Sequence, residues 1–212
     1  MGLSMLYGSY NFPQLEAALD LHRRHCERWG YRFECLTQPL TARKLYSKPY
    51  FLLLTMLTEL SKSMEERHEW LILFYLKINQ YSLDLLTQIV DYPMAHPDIE
   101  LGWSADQAAM ERVIRSMEIQ LKDQDRPPGI AWVPREWFNT FEFEHGFEGQ
   151  PGHFIVHFPG LGETRISHMA QWLNVLQQNQ QEWEISPEYT FYAEDVPRFW
   201  NEFAANASIR LA

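Results

Sequence analysis

The stretch Glu69–Leu83, EWLILFYLKINQYSL, decides how the first half of this chain is assembled. Leu71, Ile72, Leu73, Phe74, Tyr75 and Leu76 stand side by side with no polar break and no turn residue. A run of that kind suits a buried strand of a parallel sheet. A buried strand should end in a turn or loop, yet this one passes through Lys77-Ile78-Asn79 straight into a helical pattern expected over Gln80–Val90. The run is therefore either one long strand or two strands joined where something is missing.

Upstream of it, Leu3–Ser9 is short and apolar and reads as a strand that exits at Tyr10-Asn11. Pro13 suits the first turn of a helix, with Leu15, Ala18, Leu19, His22, Cys26 and Trp29 at helical spacing and Gly30 as its stop. Tyr31–Leu36 is the next strand, and Lys48-Pro49 opens a helix reaching Leu60. Strand, helix, strand, helix, strand predicts an α/β fold, a mostly parallel sheet flanked by helices. Ligands in such sheets sit at the carboxyl ends of the strands, which points to Ser9 and Tyr10.

Downstream, Tyr92–Trp103 reads as a loop containing Pro93 and Pro97, and Ala105–Leu121 as a helix. Ile130–Val133 reads as a short strand, REWFNTFEFEHGFEGQPG as an aromatic loop, and Phe154–Phe158 as a strand ended by Pro159-Gly160. Arg165–Gln181 reads as a helix, and Val196–Ala205 as a last one. The expected division is a main domain over 1–183 and a C-terminal extension over 184–212.

At 212 residues, one domain with a sizeable core is expected. The apolar share of 46% excludes a disordered chain. The net charge is −10, and no cluster of Lys and Arg stands out, so no nucleic-acid partner is expected. An acidic protein can still hold an anionic ligand if a cation, a metal or a helix N-terminus is placed locally. No apolar run approaches a membrane span, and MGLSMLYGSYN lacks the regions of a signal peptide, so a cytoplasmic chain is expected if that start is genuine. Cys26 and Cys35 have no zinc spacing; they are two structural thiols, or a disulfide in a secretory chain.

Four places offer chemistry. In GHFIVHFPG, His153 and His157 fall on one strand face about 13 Å apart, too far to share a metal, and His157 sits at the strand end. In WSADQAAMERVI, Ser104 or Asp106 can cap the helix, or Asp106 and Gln107 can form a carboxylate–amide pair for sugar hydroxyls. Asp123 and Asp125 in KDQDRPPG read as a solvated turn more readily than as a cation site. Trp137, Phe138 and Asn139 can stack on and bond a sugar, or pack on their own domain.

These pieces, in order, resemble the galactosyl-, mannosyl- and xylosyltransferases of glycosyltransferase family 34. The likeness runs over roughly residues 3 to 180. It is carried by LYGSYN, HCERWGYRFECLTQPL, SKPYFLLLTMLTEL and EERHEWLI in the first half, and by FYLKINQYSLDLLTQIVDYP, SADQAAMERVI, WFNTF and FIVHFPG in the second. The resemblance implies a GT-A-like nucleotide-sugar-binding fold and retaining transfer of a hexose or pentose from a UDP- or GDP-sugar to a glycan acceptor. It also implies Mn²⁺ against the leaving diphosphate, a Golgi membrane or lumen setting, and membership of a glycosyltransferase complex. Carried onto this chain, it makes His157 a metal ligand and Asp106 and Gln107 the catalytic pair. Asn139 becomes a donor-binding residue, and Lys48, Ser9 and Tyr10 lie near the nucleotide.

In the family, the strand after EWL leads into an acidic DxD, and a later strand precedes the FFLKINQYSLDLL-like sequence. Here EWLI passes directly into LFYLKINQYSLDLL. The resemblance thus implies strands truncated or fused near 70–78 and a metal site without its acid pair. Little or no transferase activity is expected, with a non-catalytic partner subunit as the alternative.

Overall fold

The computed structural model describes residues 2–6, 12–61, 79–102, 104–126 and 128–210. The run that poses the opening question, 70–78, lies outside the described residues, as do Ser9 and Tyr10. The described chain is mixed α/β and mostly helical, with small sheets. It divides into two compact units, 1–10 with 22–130 and 11–21 with 131–212.

In the first unit, β1 (Gly2–Met5) and β2 (Phe33–Leu36) pair in parallel with Leu3 opposite Glu34. They are joined through α1 (Pro13–Arg28), whose residues from His22 onward belong to this unit. The helix stops where expected, and Gly30 takes the left-handed conformation at φ 71° that its lack of a Cβ permits. After a 3₁₀ turn at Lys44–Tyr46 come α2 (Ser47–Leu60), α3 (Gln80–Ala95) and α4 (Ala105–Asp123).

Helix α3 begins after Asn79, whose side-chain oxygen accepts from the Ser82 amide at 2.9 Å, an N-cap bond that fixes the start. It packs on α4 through Leu85, Ile89, Val113 and Met117, with Tyr81, Met110 and Ile130 around them. Met56 of α2 and Ile89 of α3 are fully buried. Glu59, also without exposed surface, takes a bond from Arg32 Nη1 at 3.2 Å, so a charge in the interior has a cation against it.

The second unit carries the three-stranded sheet β4-β3-β5, made of β3 (Thr140–Phe143), β4 (Gly146–Phe147) and β5 (Val156–His157). Strand β3 is antiparallel to β4 and parallel to β5. Around it lie α5 (Arg165–Gln178), the short α6 (Gln180–Trp183) and α7 (Tyr192–Arg210). Trp137 is 3% exposed and meets Phe138, Tyr192 and Phe199 edge-on. Residues 184–210, expected as an extension, thus pack within this unit through Tyr192 and Phe199.

Several sequence expectations are corrected. Among the described residues the strands do not form one mostly parallel sheet but a parallel pair and a mixed three-stranded sheet. The loop expected from Tyr92 begins later, because α3 runs through Pro93 to Ala95. A proline in the last turn forfeits one helical bond rather than a series, and the His96 amide still reaches the Tyr92 carbonyl at 3.0 Å. Ile130–Val133 is not a strand; Trp132 is 74% exposed and Pro134 follows Val133. The aromatic loop instead holds β3 and β4, with Thr140 and Glu142 buried and Phe141 and Phe143 on the other face, the alternation of a half-buried strand. The strand expected over Phe154–Phe158 is only Val156–His157, so His153 and His157 do not share a strand face. The helix expected through Gln181 breaks at Asn179, and the last helix is longer than expected at both ends.

Candidate functional site

In the second unit, two residues singled out separately come together. Thr140 lies opposite Val156 and Phe141 opposite His157 in the parallel β3–β5 ladder. That register sets Asn139, just before β3, level with the start of β5 and diagonally across from His157. His157 Nδ1 and Asn139 Oδ1 are 2.6 Å apart. An amide oxygen only accepts, so Nδ1 carries the proton and donates, and the ring's basic lone pair falls on Nε2. Asn139 thereby fixes the tautomer and rotation of an exposed imidazole, as orienting partners do for metal-binding histidines. The edge of His157 meets Phe141 at 5.3 Å, and the Arg135 guanidinium lies 4.0 Å over the Phe141 ring. Arg135 in turn donates to Glu148 at 2.6 Å.

The opposite face of β3 is internal. Thr140 Oγ1 donates to the Glu136 carbonyl at 2.8 Å and lies 3.1 Å from His153 Nδ1, which therefore donates to it. Burial pushes the His153 imidazole below its ordinary pKa, with Glu136 opposing. Glu142, 7% exposed, accepts from His168 Nδ1 of α5 at 2.9 Å. His153 and His168 thus anchor the sheet, and Trp137 and Phe138 pack on their own unit rather than standing out as a stacking platform.

The other candidates belong to the first unit. Lys48 is half-buried in the first turn of α2. Asp106 is half-buried and Gln107 exposed in the first turn of α4. Ser104 holds the N-cap position of α4, but no side-chain cap bond forms there. The buried Tyr46 hydroxyl donates to the Ala105 carbonyl at 3.1 Å, tying the turn before α2 to the start of α4. Burial, then the nearby Asp106 charge, raise the Tyr46 pKa.

Beside this junction lies an open groove of about 650 Å³, lined by Arg43–Tyr46, Pro93, His96, Pro97, 99–102 and Ala105. Sequence reasoning missed it. Its residues come from the turn before α2, the end of α3 and the start of α4, and only the packing of those helices brings them together.

Asp123 ends α4 and Asp125 occupies a turn at φ 51°; both are exposed, as a solvated turn requires. Cys26 and Cys35 form no disulfide. Among the described residues, no three of His, Cys, Asp and Glu gather as a metal site, and no helix is long and apolar enough to cross a membrane. No family model, no curated protein and no solved structure matches the chain.

Proposed function

We propose that the chain is a homologue of the retaining glycosyltransferases of family 34. Its relatives' reaction carries a hexose or pentose from a UDP- or GDP-sugar to a glycan acceptor, and this chain performs it weakly or not at all. The observation that carries the reading is the 2.6 Å bond between His157 and Asn139. The resemblance assigns these two residues separately, one to metal and one to donor, and they lie 18 apart in sequence. A GT-A-like arrangement and a Golgi setting belong to the same proposal.

In this reading Asp106 and Gln107 bond donor-sugar hydroxyls, and Lys48, Ser9 and Tyr10 hold the nucleotide. A bound Mn²⁺ would meet the charge of the departing diphosphate. The donor set at His157 does not fit that ion by itself. It offers one imidazole nitrogen and one amide oxygen, whereas a hard divalent cation takes mainly carboxylate, carbonyl and water oxygens. The same donor set favours the second reading, a non-catalytic partner subunit of a glycosyltransferase complex.

The test incubates the full chain with UDP and GDP, then with UDP-galactose, UDP-xylose and GDP-mannose, each with and without Mn²⁺. Calorimetry follows binding, and nucleotide release follows turnover. The proposal expects nucleotide binding with slow or undetectable release of diphosphate. Binding of neither nucleotude class under any condition sinks the family reading. Rapid Mn²⁺-dependent turnover that His157→Ala abolishes keeps the family and overturns the weak activity.

A further inference from the structure

The groove of the first unit is lined by charges and main-chain groups that the fold leaves unused. Its volume of about 650 Å³ falls in the ~300–1,000 Å³ range of small-molecule sites. Arg43, in the turn before α2, and Glu100, in the link between α3 and α4, both line it. Among the described residues neither side chain has a hydrogen bond or an ion pair, with the other or with a third group. Lys44, beside Arg43, does have an interaction of its own. Opposite charges that line one groove without meeting suit a ligand that carries both signs.

The main chain narrows the kind of ligand. Residues 99–102 have no regular secondary structure. The amides of Glu100, Leu101 and Gly102 and the carbonyls of Ile99, Glu100 and Leu101 bond to no described protein group. Each is a strong donor or acceptor, so water or a ligand must meet it. An extended peptide pairs its own main chain with such a run of groups. Leu45, Pro93, Ile99 and Leu101 add apolar surface to the same lining, and Leu45 is 50% exposed. The Tyr46 hydroxyl, bonded to the Ala105 carbonyl at 3.1 Å, ties two stretches of that lining together. A groove held in shape before its ligand arrives loses less on binding than one that must order itself.

We propose that this groove binds a short apolar peptide with both termini free. The peptide carboxylate pairs with Arg43, its ammonium with Glu100, and its main chain with 99–102. Peptide binding here is independent of the glycosyltransferase reading, which the nucleotide titration tests separately.

The full ¹⁵N-labelled chain is titrated with Leu-Leu-Leu, with its N-acetylated form and with its C-amidated form, followed by NMR shifts and calorimetry. The unblocked peptide is expected to shift amides of 43–46 and 99–102. Each block is expected to weaken binding about tenfold, the scale of one lost hydrogen bond to a charged group. In Arg43→Gln amidation should no longer matter while acetylation still does, and in Glu100→Gln the reverse. Both side chains are exposed, and thermal unfolding checks that each variant keeps its fold. Silence from the unblocked peptide overturns the proposal, as do shifts confined to residues outside the groove. A block that costs nothing in the parent chain overturns it too, as does a penalty that persists unchanged in the matching variant. Nucleotide binding without peptide binding sinks this inference alone, and the converse sinks only the family reading.

Discussion

Replacing Trp137 by Ala separates a ring that packs from a ring that binds. Trp137 is 3% exposed, so nearly the whole side chain leaves water on folding. A Trp buries roughly 200 Å², and about 25 cal/mol per Å² puts the transfer near 5 kcal/mol. The alanine retains a little of this, while the vacated space forfeits contacts with Phe138, Tyr192 and Phe199. The expected loss is therefore about 3–5 kcal/mol, the usual range for such truncations. Urea unfolding followed by far-UV circular dichroism reads it, because a fluorescence probe would itself be altered. Tyr192→Phe supplies an independent measure. It removes the hydroxyl that donates to the Trp137 carbonyl at 2.8 Å and accepts from the Phe154 amide at 3.2 Å. That costs about 1–3 kcal/mol, and its effect should couple to that of Trp137→Ala rather than add to it. A Trp137→Ala variant within about 1 kcal/mol of the parent, but unable to bind a saccharide, would refute the packing argument and restore Trp137 as a stacking surface.

The remaining predictions concern local devices. Gly129→Ala should cost about 1–3 kcal/mol by overpacking. A Cβ there would come within 2.2 Å of the Tyr81 ring, and that ring cannot swing away freely because its hydroxyl donates to Glu118 Oε1 at 2.9 Å. Wild-type stability in Gly129→Ala would show that the ring moves at little cost. Burial lowers the pKa of His153, so below about pH 6.5 the unfolded chain binds a proton that this ring resists in the fold. Its stability contribution is complete above that pH and should decline as the pH falls below it, read as a falling urea midpoint, with His153→Gln showing a smaller decline. A midpoint that rises on acidification contradicts this sign. Arg32→Met removes a cation 3.2 Å from the fully buried Glu59; with Arg32 itself 41% exposed, the expected loss is about 1–2 kcal/mol by chemical denaturation.

Much of the helical framework was legible. Pro13 to Gly30, Lys48 to Leu60 and Ala105 to Leu121 announce themselves by apolar residues at helical spacing, and the helices lie there within a few residues. In the second unit the strand at Val156–His157 was legible within the longer one expected over Phe154–Phe158, but Thr140–Phe143 was not, because so short a strand does not rise above its aromatic surroundings. The alternation in Thr140-Phe141-Glu142-Phe143, followed by His145-Gly146, was the available signal. It was masked because both Phe141 and Phe143 sit on the less buried face, reversing the usual apolar-in order.

The candidate residues divide the same way. Residue type alone marked His157, Asn139, Asp106 and Gln107 as capable of binding chemistry. That His157 and Asn139 touch follows only from the parallel register of β3 and β5, since 18 residues of intervening chain fix no distance. The sequence by itself determined where the helices run, because helical periodicity is a local property read within a few turns. Tertiary packing alone decided that Glu142 and Thr140 turn inward to His168 and His153, that Trp137 is core, and that the ends of three elements enclose a groove. Each of these depends on side chains distant in the chain finding a common surface, which no local pattern encodes.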